Sequence, residues 1–202
     1  MKVIDHIKKA KGETQFTFEI LPPVKGHSIH SIFDNIDPLM EFNPPFIDVT
    51  YHREEHIYNE LGNGLLEKKV VRKRPGTVGI CAALMNRYKV DAIPHIICGG
   101  FNKEDTENAL IDLKFLGVDN ILALRGDPMK NESSFIPVEG GNKFAIDLIQ
   151  QINEMNNGQY LYEETKNSPS NFCIGAAGYP EKHFEAMNLA SDLKHLKAKV
   201  DA

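Results

Sequence analysis

Apolar and polar residues alternate along TQFTFEI, with Phe16, Phe18 and Ile20 on one side and Gln15, Thr17 and Glu19 on the other, until Pro22-Pro23 stops the run. A period of two is that of a β-strand with one apolar and one polar face. The next stretch changes period. SIHSIFDNIDPLMEF carries Ile29, Ile32, Phe33 and Ile36 at helical spacing, and Pro38 shortens or bends the helix. FIDVTY (46 to 51) reads as a second strand, and residues 53 to 76, rich in charge and holding Gly62, Gly64 and Pro75-Gly76, read as a decorated loop with no assigned role. TVGICAALMNRY predicts a helix, and DAIPHIICGG a third strand centred on His95 to Cys98.

The clearest helix follows. Asn102 stands as N-cap, Ala109, Leu110, Leu113 and Leu116 form its apolar stripe, and Gly117 occupies the place of a C-terminal cap. It leads into NILALRGDP, an apolar strand ending in the turn Arg125-Gly126-Asp127-Pro128. A helix over about 142 to 155 presents Ala145, Leu148, Ile149 and Ile152 on one face. FCIGAAGYP supplies a fifth strand, and the last helix bears Leu189, Leu193, Leu196 and Val200. Strand then helix, five times over, is the pattern of parallel βα units.

The composition fits such a fold and narrows the partners. The chain has 202 residues, of which 42% are hydrophobic and 25% charged, enough apolar material to bury a core. A net charge of -5 offers no basic surface for a phosphate backbone, so nucleic acid is not expected as a partner. The densest basic run, Lys68-Lys69 with Arg72-Lys73-Arg74, reads as a solvated loop or helix end. The N-terminal MKVIDHIKKAKGE mixes charge into its apolar residues and lacks the profile of a signal peptide, and no later window has the length and apolarity of a membrane span. A cytoplasmic location is the expectation. Cys81, Cys98 and Cys173 are scattered, which predicts buried free thiols and no metal site.

In parallel α/β folds ligands gather where strands end, and here those ends hold Glu19, Thr50-Tyr51, His95, Arg125-Gly126-Asp127 and Tyr179. Taken singly, Glu19 is an ordinary exposed strand-end carboxylate, His95 a satisfied core histidine, and Arg125 with Asp127 a structural pair across a turn. Taken in order, FEILPP, DVTYHRE, PHIICGG, ALRGDP and GYPEKH resemble the methylenetetrahydrofolate reductase family, in its FAD-dependent bacterial type, from Thr14 to Ala202. The resemblance implies a (β/α)8 TIM barrel of which residues 1–202, read as one catalytic domain, carry about the first five units. It also implies an activity: NADH or NADPH reduces FAD, and the flavin reduces 5,10-methylenetetrahydrofolate to 5-methyltetrahydrofolate for methionine synthesis.

By that resemblance Glu19 is the acid that protonates N10 so that the folate's five-membered ring opens to an N5 iminium cation. A free glutamate has a pKa of about 4.3, so desolvation or bound substrate has to raise it. Thr50, Tyr51, His95, Arg125, Gly126 and Asp127 carry over as flavin contacts, with Asp127 facing the folate as well. Tyr179, His183, Asp192, His195 and Lys199 carry over as contacts to the remoter part of FAD, together with Ala145. Asp192, His195 and Lys199 stand at i, i+3 and i+7 on one helix stripe. A homo-oligomer is expected, since five eighths of a barrel would leave unpaired strand edges. A piece of a longer chain, a gap covered by a second copy, or an open α/β sheet would each resolve this. A non-catalytic folate- or flavin-binding fragment is the alternative to an enzyme.

Overall fold

The computed structural model describes residues 1–129 and 132–202. Its order is α1 (Val3–Ala10), β1 (Phe18–Ile20), α2 (His30–Ile36), a 3-10 turn (Asp37–Phe42), β2 (Phe46–Val49), β3 (Glu55–Leu61), β4 (Leu65–Val71), α3 (Thr77–Tyr88), β5 (Asp91–Ile97), α4 (Lys103–Phe115), β6 (Asn120–Leu124), α5 (Ala145–Asn156), β7 (Cys173–Ala176) and α6 (Leu189–Asp201). Five strands form one parallel sheet in the order β1-β2-β5-β6-β7, so each lies beside the one that precedes it in the βα repeat.

The pleat sorts this sheet into two different faces. Ile47 and Val49 of β2, Ala92 of β5 and Ile20 of β1 pack with Ile32 and Ile36 of α2 and with Ile80, Cys81 and Leu84 of α3. Ile96, Ile121 and Ala123 pack with Leu110 and Leu113 of α4 and with Leu148, Ile149, Ile152 and Met155 of α5. Complete burial of a Leu or Ile side chain stabilises by roughly 1.5–3 kcal/mol, so these helix-side contacts hold the layers together. Neither cluster contains a residue of the opposite face, which carries Glu19, Asp48, Ile93, His95, Leu122 and Gly175 in register. The helices therefore back one face, and the titratable side chains stand on the other.

Local signals explain most elements. Asn102 accepts from the Asp105 N–H at 2.7 Å while Asp105 accepts from the Asn102 N–H at 3.2 Å, a reciprocal cap on α4. Gly117 closes the same helix at φ +78, and Pro38 converts the end of α2 into the 3-10 turn. β5 begins at Asp91 and runs through Pro94, further back than the expected centre at His95 to Cys98. One missing N–H removes a single ladder bond and leaves the rest of the strand paired.

The expected loop at 53 to 76 is instead an antiparallel hairpin, β3 with β4, turned through Gly62-Asn63-Gly64. Lys68 and Lys69 thus lie on a strand, and Arg74 anchors the hairpin's end by donating to the Pro22 carbonyl after β1. The apolar stripe of α6 is also corrected: Leu189, Leu193 and Val200 are exposed, while Leu196 meets Gly178. β7 pairs only with β6, so the helix after it has a neighbour on one side alone. The N-terminal residues form α1, tied beneath the strand starts by Val3 N–H to Asn120 Oδ1 at 2.8 Å and by His6 Nε2 to Asp91 Oδ2 at 2.6 Å.

Candidate functional site

Glu19 sits mid-strand in β1 and turns away from the helices, with its side chain 61% exposed. The register sets Glu19 opposite Asp48 of β2, and Asp48 opposite Ile93 of β5, so that His95 follows two residues on along the same face. Three neighbouring strands thereby bring two carboxylates to one imidazole. His95 Nε2 lies 3.6 Å from Asp48 Oδ1 and 4.0 Å from Glu19 Oε2. His95 is buried, and its Nε2 has no hydrogen-bond partner among the described residues. No group of three or more such side chains among the described residues is arranged to hold a metal ion.

Asp48 was not singled out by sequence reasoning, although the signal was present. It is the polar residue of an otherwise apolar alternation in FIDV, as Glu19 is in FEI. The Glu19 carboxylate stands on the open face with most of its surface in contact with solvent.

The adjoining strand ends are fastened to one another. Thr50 donates twice to the Ile20 carbonyl, from N and from Oγ1, each at 3.1 Å, and so binds the end of β2 to that of β1. Tyr51 turns elsewhere. Its ring lies 5.0 Å from that of Phe101 and lines a cleft of about 840 Å³ between the hairpin base, α3 and α4, whose walls include neither Glu19 nor His95. Burial there pushes the Tyr51 phenol up. A smaller cleft, about 430 Å³, does include Glu19, together with Pro22, Pro23, His27 and Arg74.

A second group gathers at the ends of β6 and β7. Gly126 adopts φ +85, which favours glycine, and a Cβ there would stand 3.3 Å from Ile97 Cδ1, a tight contact. The pair of Arg125 with Asp127 that the turn suggests when taken singly is not made. Arg125 instead grips Glu185 through two hydrogen bonds, 2.6 and 2.9 Å, and its guanidinium lies 5.4 Å from the Phe135 ring centroid. Those bonds from Glu185 raise the Arg125 pKa, and the nearby charge of Asp127 adds to the effect. Asp127 itself is exposed. Nothing in the sequence marked Glu185, one charge among many in an irregular segment.

Beyond β7, Tyr179 meets His183 edge-on at 4.8 Å, and His183 stacks on Phe184 at the same separation. The His183 N–H donates to Asp192 Oδ2 at 2.9 Å, and Lys199 Nζ donates to the Ala177 carbonyl at 2.7 Å, so both helix residues hold the β7–α6 loop. His195, on the same stripe, is exposed. Ala145 opens α5 directly after Phe144, whose carbonyl accepts from Cys98 Sγ at 3.5 Å and so lies beside the end of β5.

Residues 2–202 match the family described as methylenetetrahydrofolate reductase. The chain belongs to that family. It is 34% identical over 213 residues to methylenetetrahydrofolate reductase (NADH) 1 of Arabidopsis thaliana, covering 100% of this chain and 31% of the relative. It is 32% identical over 202 residues to a probable methylenetetrahydrofolate reductase (NADPH) of Caenorhabditis elegans, covering 98% and 26%. With 5,10-methylenetetrahydrofolate reductase of Pectobacterium carotovorum subsp. carotovorum it shares 27% over 198 residues, covering 97% and 54%. The chain thus spans about a third of its plant relative and about half of its bacterial one. Among the described residues no helix is long and apolar enough to cross a membrane.

Proposed function

We propose that this chain carries the proton-donating and flavin-facing part of an enzyme that reduces 5,10-methylenetetrahydrofolate to 5-methyltetrahydrofolate. The convergence of Glu19, Asp48 and His95 from three adjacent strands onto the face without helices is the observation that carries this reading. We read the sequentially ordered parallel sheet, with its helices on one face, as an arc of a (β/α)8 barrel whose interior is the face without helices.

The residues present fit FAD. Gly126 has no Cβ to separate its backbone from a flat ring. Thr50, His95 and Arg125 through Asp127 are assigned to the flavin side, and Ala145, Tyr179, His183, Asp192, His195 and Lys199 to its remoter portion, while the Tyr51 ring, turned into the separate cleft, is left out of the assignment. When bound, FAD relays hydride from NADH or NADPH to the folate. The chain's own contribution is the proton. Glu19, facing an open mouth, donates to N10 of the folate, which opens the ring and leaves the N5 iminium that accepts hydride. Asp127 makes no hydrogen bond to Arg125 and would present its carboxylate to the flavin side of the site, where it would oppose negative charge.

Glu19→Gln separates the two halves of this scheme, because the amide keeps the side chain's size and cannot donate as an acid. In the intact, flavin-loaded protein, stopped-flow absorbance is expected to show flavin reduction by the nicotinamide within a few-fold of normal. Folate reduction is expected to fall by at least about a hundredfold, the usual scale of a lost general acid. Equal slowing of both halves would make Glu19 a structural residue of the sheet edge and overturn the reading.

A further inference from the structure

The two carboxylates at His95 compete for one nitrogen. An unprotonated Nε2 would turn its lone pair toward the acceptor Asp48 Oδ1, the nearer oxygen at 3.6 Å against 4.0 Å for Glu19 Oε2, so the ring proton belongs on Nε2. Both separations exceed a hydrogen bond of about 2.7–3.2 Å, and a displacement of roughly 1 Å toward either oxygen would make one. The N–H can serve only one carboxylate at a time. Burial makes the choice matter, since among the described residues Nε2 has no other partner.

We propose that Asp48 is a positioning residue for the proton transfer, acting through His95. The inference rests on the reading of Glu19 as the acid. Before transfer the Nε2–H belongs to Asp48, which leaves Glu19 as a neutral acid with its O–H free to face the substrate nitrogen. As the Glu19 O–H bond breaks and the N–H bond forms on the substrate, Glu19 becomes a carboxylate. The His95 N–H then passes from Asp48 to Glu19 and stabilises the charge where it appears. No proton leaves His95 and no other bond is broken, so the step balances as one proton moved from Glu19 to substrate with one hydrogen bond exchanged. Asp48 thus withholds the imidazole from Glu19 until the acid has acted.

Asp48→Ala and Asp48→Asn test this in the intact, flavin-loaded protein. Alanine leaves the Nε2–H permanently to Glu19, which favours the carboxylate too early. The folate half-reaction is expected to fall about tenfold more than the flavin half, at the low end of general-acid effects, and its pH profile to move toward lower pH. Asparagine keeps an acceptor oxygen and is expected to restore most of the folate rate. Independently of turnover, nitrogen-15 NMR of the His95 ring is expected to show the proton on Nε2, with a resonance that shifts in Asp48→Ala and again in Glu19→Gln. If there is no folate reduction in the unaltered protein, the proposed function fails, while the ring resonances still test the contact. An Nε2 signal indifferent to Asp48→Ala, or an unmoved pH profile with both half-reactions slowed alike, would overturn the role of Asp48.

Discussion

Arg125 and Glu185 are joined by two hydrogen bonds, Nη1 to Oε2 at 2.6 Å and Nη2 to Oε1 at 2.9 Å. The arginine of the Arg-Gly-Asp turn is therefore anchored to the loop after β7 and not to Asp127. Glu185→Gln loses one charge-assisted contact of this fork. With Glu185 39% exposed, the effect on global stability is expected to stay within about 1 kcal/mol. The local effect is expected to be larger: amide hydrogen exchange in residues 177–188 should accelerate while the core of α4 and α5 is unchanged. Uniform protection across both regions would show that the fork does not order the loop.

The same pair sets a response to acid. The Arg125 guanidinium holds the Glu185 carboxyl below its ordinary value, and the Met129 N–H, with Arg53, does the same to Glu132. Both carboxyls bind protons less readily when folded, so their contribution is present above the unfolded value and disappears as pH falls through the lowered folded values. Urea midpoints are expected to decline below about pH 4.5, and Glu132→Gln with Glu185→Gln should flatten that decline. A double variant as acid-sensitive as the parent would assign the response to other groups.

Gly126→Ala and Gly117→Ala place the same methyl on backbones of similar φ, +85 and +78. Each pays about 1–2 kcal/mol for an L-residue in the left-handed region. Only at position 126 does the new Cβ meet a neighbour, Ile97 Cδ1 at 3.3 Å, whereas nothing lies within 4 Å at position 117. Urea unfolding is expected to rank Gly126→Ala as the more destabilising of the two. Equal costs would show that Ile97 yields freely and that the turn needs glycine for conformation alone.

The cysteines divide by burial. Cys81 and Cys98 are 0% and 1% exposed, and burial pushes each thiol up to about 12, while Cys173 is partly exposed. In the native protein a thiol reagent is expected to label Cys173 first, with the other two reacting only on unfolding. Rapid native labelling of Cys98 would place the end of β5 in a locally opening segment.

The elements legible in the sequence were those whose signal is local. Asn102 and Gly117 bracket α4 because a cap and a left-handed stop act within a few residues, and Pro38 breaks α2 for the same reason. The hairpin was not legible. Glu55, Asn59 and Glu60 on β3 and Glu67, Lys68 and Lys69 on β4 put polar residues on both faces, so no alternation marked either strand. The exposed stripe of α6 escaped in the opposite direction, since its leucines have the spacing of a buried face.

Of the site, the sequence by itself determined that Thr50 and Arg125 follow directly on strands and, through the order of five motifs, the family, whereas Glu19 and His95, expected at strand ends, lie within their strands. The pleat then required Glu19 and Asp48 to be the polar members of their strands. Which of these meet was decided only by tertiary structure, because contact across strands depends on register between segments that are far apart in the chain. Parallel pairing set Glu19 against Asp48 and carried His95 to both, and it was the return of the β7–α6 loop that gave Arg125 to Glu185 in place of Asp127. Residues 19, 48 and 95 share no local period, and a shift of one residue in either pairing would turn a carboxylate toward the helices, so their meeting is a property of the sheet and not of any one strand.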